Sequence, residues 1–310
     1  MSILFVGDVV GGIGKRTLLA LLPTLRDRYA PDFVVVNGEN AAGGVGITPK
    51  IARELLSSGV DVITLGNHTY RHKEIYSYLD EEDRILRPAN FLASQPGHGW
   101  CVVGGDVGRS RGGGGPSGGG GGPSGGGSHG GGAEDGRGGD SGGKGGAGGE
   151  RAGGRGRLGV ISLSGNLFMK AGRPAFPEVD AALRAMSGKV DHVLVDMHAE
   201  ATSEKVAMGW HLDGRVTAVV GTHTHVPTAD ARVLPGGTAY ITDVGMTGPR
   251  GGVIGVKRDQ ALTSMVTHMP IRFETSTEDP WLNGVVIRTA AESMRAESIE
   301  QVLLPAPGVV

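Results

Sequence analysis

The 310-residue sequence predicts an α/β fold in which buried sheet is covered by helices, and three observations predict it. Short apolar runs alternate along the chain with helically spaced leucines. The runs are β-branched and unalternating, as in strands that are buried on both faces. Once one Gly-rich tract is set aside, about 255 residues remain, enough for one sizeable core.

The elements follow in order. Residues 3–6 are a short apolar run of strand type that stops at Gly7-Asp8. Leucines 18, 19, 21, 22 and 25 give residues 15–29 a helical spacing. Phe33-Val34-Val35-Val36 is a strand ending at Asn37-Gly38-Glu39-Asn40, and Thr48-Pro49 opens a helix over residues 51–58. A strand over residues 60–65 stops at Gly66-Asn67-His68, and a helix follows around residues 73–79. Beyond the tract come a strand at 158–163, a helix at 179–186 and a strand at 192–196 that runs into Met197-His198. Residues 203–211 are helical, and the strand at 216–220 ends at Gly221-Thr222-His223-Thr224-His225. Ala239-Tyr240-Ile241 is a further strand, ending at Thr242-Asp243-Val244-Gly245. No internal repeat is visible.

Composition narrows the function classes. Thirty Lys+Arg against 32 Asp+Glu is no basic face for neutralising nucleic-acid phosphates. A single cysteine, Cys101, makes neither an internal disulfide nor a multi-thiolate metal site. No stretch approaches the ~18 apolar residues of a membrane span, and the apolar run at residues 3–6 is too short for a signal-peptide core. A cytoplasmic, soluble protein is expected. Of the 58 glycines, 30 fall in residues 104–156, a tract with no Ile, Leu, Met, Phe, Tyr or Trp. Such a segment buries too little apolar surface to offset about 1–2 kcal/mol per residue of ordering entropy. It reads as a disordered insertion within a single domain spanning 1–310. It lacks the interleaved aromatics of an RNA-binding tail.

The informative pattern lies at the carboxyl ends of the strands. Five buried strands end in Asp8, in Glu39-Asn40, in Asn67-His68, in His198 and in His223-Thr224-His225. In open α/β sheets those ends converge on one crevice. The side chains are carboxylates, imidazoles and amides, the ligands of Mn, Fe or Zn. Each has an ordinary reading: Asp8 as a turn or cap residue, Asn67 as a turn asparagine, His198 as a satisfied core histidine. The pair His223 and His225 is sharper, because alternate residues of an extended segment point the same way. Seven candidate ligands exceed the needs of one ion and suit two ions about 3.5–4 Å apart with a shared carboxylate. His72, His98, His129, His192, His211 and His268 are left as solvated or structural.

Gly11-Gly12-Ile13-Gly14-Lys15-Arg16 imitates a phosphate-binding loop, but Val9 and Arg16 occupy places that the Walker pattern reserves for Gly and Ser/Thr. These glycines are read instead as letting the backbone pass close to the metal site and open the first helix. Two metals in such a site suit hydrolysis at phosphorus. His68, next to the ligand candidate Asn67, is placed to protonate a leaving alkoxide, the alternative being that His68 is the ligand and Asn67 a turn residue. Asp196, Glu200 and Asp243 could orient ligand imidazoles, or only cap strand ends.

Gly7-Asp8-Val9-Val10-Gly11, Asn37-Gly38-Glu39-Asn40-Ala41-Ala42, Gly66-Asn67-His68-Thr69, Arg87-Pro88-Ala89-Asn90-Phe91, the run from Asp196 to Lys205, Gly221-Thr222-His223-Thr224-His225 and the run from Thr242 to Pro249 together resemble the YmdB-type metallophosphoesterases. The resemblance implies a calcineurin-like αββα sandwich, two mixed sheets flanked by helices, and a binuclear iron or manganese centre, zinc being an alternative. It also implies a phosphodiesterase that opens 2′,3′-cyclic nucleotides to 3′-phosphates. Carried over by position, the metal ligands are Asp8, Glu39 (bridging), Asn40, Asn67, His198, His223 and His225, with His68 as proton donor. Alternatives are a broader metallophosphatase or nuclease, or a metal-dependent sensor of nucleotides or RNA ends. A homo-oligomer is compatible with the family. The chain departs from the family at Tyr70-Arg71, where a Trp-Asp pair is common, and in the Gly-rich insertion, where a short turn is expected.

Overall fold

The computed structural model describes residues 1–105, 156–290 and 293–309. The chain begins with β1 (Ser2–Val6), α1 (Gly11–Tyr29), β2 (Phe33–Asn37), α2 (Pro49–Ser57), β3 (Val62–Thr64), α3 (Ile75–Glu81) and β4 (Ile85–Leu86). It continues through β5 (Trp100–Val103), β6 (Leu158–Ser164), α4 (Ala175–Met186), β7 (His192–His198), α5 (Thr202–Leu212) and β8 (Ala218–Thr222). The last part holds β9 (Arg232–Val233), β10 (Ala239–Ile241), β11 (Gly248–Pro249), α6 (Arg258–Thr267), β12 (Pro280–Thr289) and β13 (Ala296–Pro305).

Two mixed sheets result. The first runs β11-β12-β1-β2-β3-β4, with β13 also on β12; β1 to β4 are parallel and β12 is antiparallel to β1. The second runs β5-β6-β7-β8-β10-β9, with β6, β7, β8 and β10 parallel.

Strand periodicity sorts side chains between the layers. In β1, Ile3 and Phe5 enter the core between the sheets, whereas Leu4 and Val6 pack with Leu18, Leu22 and Leu25 of α1. In β7, Leu194 faces the other sheet, and Val193, Val195 and Met197 join a third cluster with α4 and α5. Both faces of each central strand are therefore apolar, which is why the runs do not alternate in sequence. The layers stack helix, sheet, sheet, helix: the calcineurin-like sandwich.

Thr48 Oγ1 caps α2 by accepting from Ile51 N (3.4 Å), as Thr48-Pro49 predicted. Helix α1 starts earlier than its leucines suggest. Gly11, at φ 65°, begins it, and a Cβ at Gly14 would stand 2.3 Å from the Thr247 carbonyl oxygen. The glycines thus open the helix as expected, and the backbone they bring close is the Thr247 loop as well as the ligand candidate Asn40, whose carbonyl accepts from Gly11 N (2.8 Å). The hairpin β12/β13 was not anticipated. The apolar stretch Val285-Val286-Ile287 is only three residues long, and half of β13 is exposed, Glu297 included.

Cys101 is buried, its thiol pushed up to about 12 by desolvation. No helix among the described residues is long and apolar enough to cross a membrane. Residues 106–155, with His129, lie outside the described residues. The ends of the tract meet: Val103 pairs with Leu158 across β5 and β6, and a Cβ at Gly104 would lie 2.3 Å from Gly156 O.

Candidate metal centre

At the carboxyl ends of β2, β3, β7 and β8 the positions facing the opposite sheet turn polar. Val35 is followed two residues on by Asn37, Val62 by Thr64, Leu194 by Asp196 and Val220 by Thr222, all four polar residues fully buried. They form one hydrogen-bonded floor. Asp196 Oδ2 accepts from Thr64 Oγ1 (2.5 Å) and Asn37 Nδ2 (2.9 Å), and Asp196 Oδ1 accepts from Thr222 Oγ1 (2.7 Å). Sequence reading missed Asn37, Thr64 and Thr222, although a polar residue at the inward parity of an apolar run was a usable signal.

The floor orients the first imidazole. Thr222 spends its one proton on Asp196, so at 2.8 Å it accepts from His198 Nδ1–H. His198 Nε2 is thereby turned toward Glu39 Oε1 (3.0 Å), Asn67 Oδ1 (3.0 Å) and His223 Nδ1 (3.1 Å). On the other side of His223, Nε2 lies 3.0 Å from Glu200 Oε2. His225 donates from Nδ1 to the Ile254 carbonyl (2.9 Å), and its Nε2 faces Asn40 Nδ2 (3.1 Å) and Asp8 Oδ1 (3.9 Å). In each case a partner on one ring nitrogen presents the other to the centre, the arrangement that fixes a metal-binding tautomer.

The segment carrying His223 and His225 is not extended. Both residues adopt left-handed backbone, φ 95° and 67°, at a cost on the order of 1–3 kcal/mol each. The two rings therefore reach different partners instead of pointing the same way. Asp243 holds this turn: it accepts from Thr224 N (3.1 Å) and Oγ1 (2.7 Å) and from the buried Lys205 Nζ (2.6 Å). Of the three acids expected to orient imidazoles, Glu200 touches one directly, Asp196 acts through Thr222, and Asp243 braces backbone.

Close packing extends to the backbone. A Cβ at Gly66 would stand 2.2 Å from His198 Cδ2 and 2.3 Å from Glu39 Oε2, so only glycine lets the strand end approach. All seven ligand candidates and His68 come together. His68 N donates to Glu39 Oε2 (3.1 Å), while its Nδ1 sits 2.8 Å from Asn40 Oδ1 and 3.1 Å from Glu39 Oε1. The other histidines do not join. His72 bonds the Val45 carbonyl, His192 is buried against Thr217, His211 pairs with Asp180, His98 lies 3.6 Å from Asp83 and His268 caps α6.

The donor set fits a divalent cation. Asp8 Oδ1 is a buried carboxylate oxygen with no hydrogen-bond partner among the described residues, a costly state that a cation relieves, and Glu39 Oε1, equally buried, is approached by the imidazoles of His198 and His68. One ligand atom each of Glu39, His198 and His223 lie within 4.8 Å of one another. Burial lifts Asp8 to about 6. Burial also opposes ionisation of Glu39, but His198 and His68 outweigh it and hold that carboxyl well below its usual range. Burial disfavours the charged form of His198, yet Glu39 and Asp8 raise it to about 9; His223, desolvated beside His198, falls to about 3. Glu39 thus favours positive charge at His198, while burial keeps His223 neutral. Because Nδ1–H is held by Thr222, the proton that His198 sheds to a cation is the one on Nε2.

The crevice lies between the edges of two facing sheets rather than at a switch point within one. Comparisons with known proteins agree with this architecture. The model of YmdB-like proteins matches residues 4–110 and 140–302. A 2′,3′-cyclic-nucleotide 2′-phosphodiesterase of Bacillus subtilis (strain 168) is 39% identical over 304 residues, covering 98% of this chain and 97% of its own. A protein of Thermus thermophilus has a crystal structure similar at TM-score 0.77 and 34% identity, covering 99% of this chain and 100% of that one. A Mycoplasma pneumoniae phosphatase aligns at TM-score 0.76 and 29% identity, over 98% and 93% of the two chains.

Proposed function

The chain belongs to the YmdB-like family, and from that premise we propose that it is a metal-dependent phosphodiesterase opening 2′,3′-cyclic nucleotides to nucleoside 3′-phosphates. RNA that ends in a 2′,3′-cyclic phosphate carries the same bond and falls in the same substrate class. The observation that carries the reading is the convergence of two fully buried carboxylates, Asp8 with an unpartnered oxygen, on three imidazoles beside the partly exposed His68.

Asp8, Asn40 and His225 would hold one ion, and Asn67, His198 and His223 a second, with Glu39 reaching both. Iron or manganese suits this oxygen and imidazole set, with zinc as the alternative. Such ions, when bound, lower the pKa of water toward neutrality and neutralise the charge that builds on a phosphoryl group. The chain's own residues do the rest. His68 Nδ1 donates to Asn40 Oδ1, which leaves Nε2 to carry a proton toward the mouth. As the oxygen of a water bonds to phosphorus and the bond from phosphorus to the 2′ oxygen breaks, that proton goes to the 2′ oxygen and the phosphate stays on the 3′ position. Arg71, exposed one turn from His68 through its N–H to the His68 carbonyl (3.0 Å), adds positive charge for an incoming phosphate.

The test is turnover of 2′,3′-cyclic AMP by protein of known metal content, beside Glu39→Ala. The expected result is 3′-AMP from the wild type alone, at about two metals per chain. Release of 2′-AMP would reverse the assigned leaving group. Equal activity of Glu39→Ala would remove the centre from the reaction.

A further inference from the structure

The centre is lined by carboxylates, imidazoles and amides, which suit a cation and a phosphate. Residues 165–173, between β6 and α4, run beside it. Gly165 N donates to the His198 carbonyl (2.9 Å), and Glu200 N approaches Met169 Sδ (3.3 Å), so this loop straddles residues 198–200. It is pinned at both ends. The Glu204 carboxylate accepts from Asn166 N (2.8 Å) and Leu167 N (3.1 Å), while Asn166 bonds Ala175 N and the Arg173 carbonyl. Within that anchored frame Phe168 is 90% exposed and takes φ 64°, a conformation disfavoured for a bulky side chain. The flanking Leu167 is half exposed.

Resting on the cyclic-nucleotide reading above, we infer that Phe168 is the platform on which the substrate's base stacks. An exposed phenyl ring loses little by leaving water for a base, and stacking accepts any base because every base has a π face. The chemistry of recognition is thus divided. The centre takes the phosphate, and the loop from residue 165 to 173 takes the base. This makes Phe168 a determinant of preference for nucleotides over other cyclic phosphodiesters.

The experiment compares 2′,3′-cyclic AMP with methyl β-D-ribofuranoside 2′,3′-cyclic phosphate, which has the same reacting group and no base. In wild type the nucleotide is favoured in kcat/KM. Phe168→Ala should shrink that advantage by about 5- to 150-fold, through KM, and Phe168→Trp should restore it. A parallel fall for both substrates, or an unchanged ratio, overturns the assignment. A second readout does not depend on turnover: quenching of 1,N6-ethenoadenosine 3′-phosphate fluorescence on binding, expected in wild type and Phe168→Trp and lost in Phe168→Ala. Wild-type protein that carries its metals and cleaves neither substrate would overturn the proposed activity, and the quenching comparison would still decide the role of Phe168. Quenching retained in Phe168→Ala counts against it.

Discussion

His68 differs from the residues around it: its side chain is about a third exposed while Glu39 beside it is fully buried. A residue that must exchange protons with solvent each turnover needs that position, and a structural ligand does not. His68→Ala is therefore expected to keep its metal content, measured by elemental analysis, and to lose about 10²- to 10⁴-fold in kcat. Loss of metal would instead make His68 a ligand, the alternative that the sequence left open. Glu200 makes a contrasting case. Its carboxylate meets His223 Nε2, and neutral His223 presents Nδ1 to the centre. Glu200→Gln should weaken metal binding about 10- to 100-fold in calorimetric titration and shift the His223 tautomer seen by ¹⁵N NMR. Unchanged affinity would reduce Glu200 to a surface acid. At this scale the ligand types were legible in sequence, since Asp8, Glu39, Asn40, Asn67, His198, His223 and His225 all stand at or just beyond strand ends. The tautomers were not, because Thr222, Ile254 and Glu200 act on imidazoles 24, 29 and 23 residues away in the chain.

Elements position these residues through packing as much as through chain order. Helix α5 buries Lys205 at 1% exposure against Asp243, and Asp243 in turn holds the strained turn of His223 and His225. Lys205→Met would leave that carboxylate buried without its cation. The expected cost is about 3–5 kcal/mol of stability in chemical denaturation, with weakened metal binding because the turn is released. A variant as stable as wild type would mean that Thr224 alone secures the turn. Most central elements could be read from apolar periodicity, for they bury a full face and so must be apolar. The short strands β4, β9 and β11 could not, since two residues carry no period. Helix α6 escaped for a different reason: only Ala261 is buried in it, so no apolar stripe marks a core-facing side.

For the whole molecule, the Gly-rich tract enters and leaves between two paired strands whose ends already touch. One domain interrupted by a passive insertion predicts that residues 106–155 can be replaced by a two-residue turn with folding and turnover retained, because a hairpin of this register closes with a short connection. Calorimetry and the cyclic-nucleotide assay check both halves of that expectation, and loss of either would assign the tract a part in the fold or the site. The sequence by itself determined the α/β class, the apolar cores and the set of candidate metal ligands. Those depend on local period and on side-chain chemistry, which each segment carries with it. Only the tertiary structure decided that the candidate ligands come from the edges of two facing sheets and that a buried polar floor of Asn37, Thr64, Asp196 and Thr222 aims His198. It also decided that two histidines in a strained turn reach different partners. These facts rest on contacts between residues far apart in the chain, and only the docking of one sheet on the other creates them.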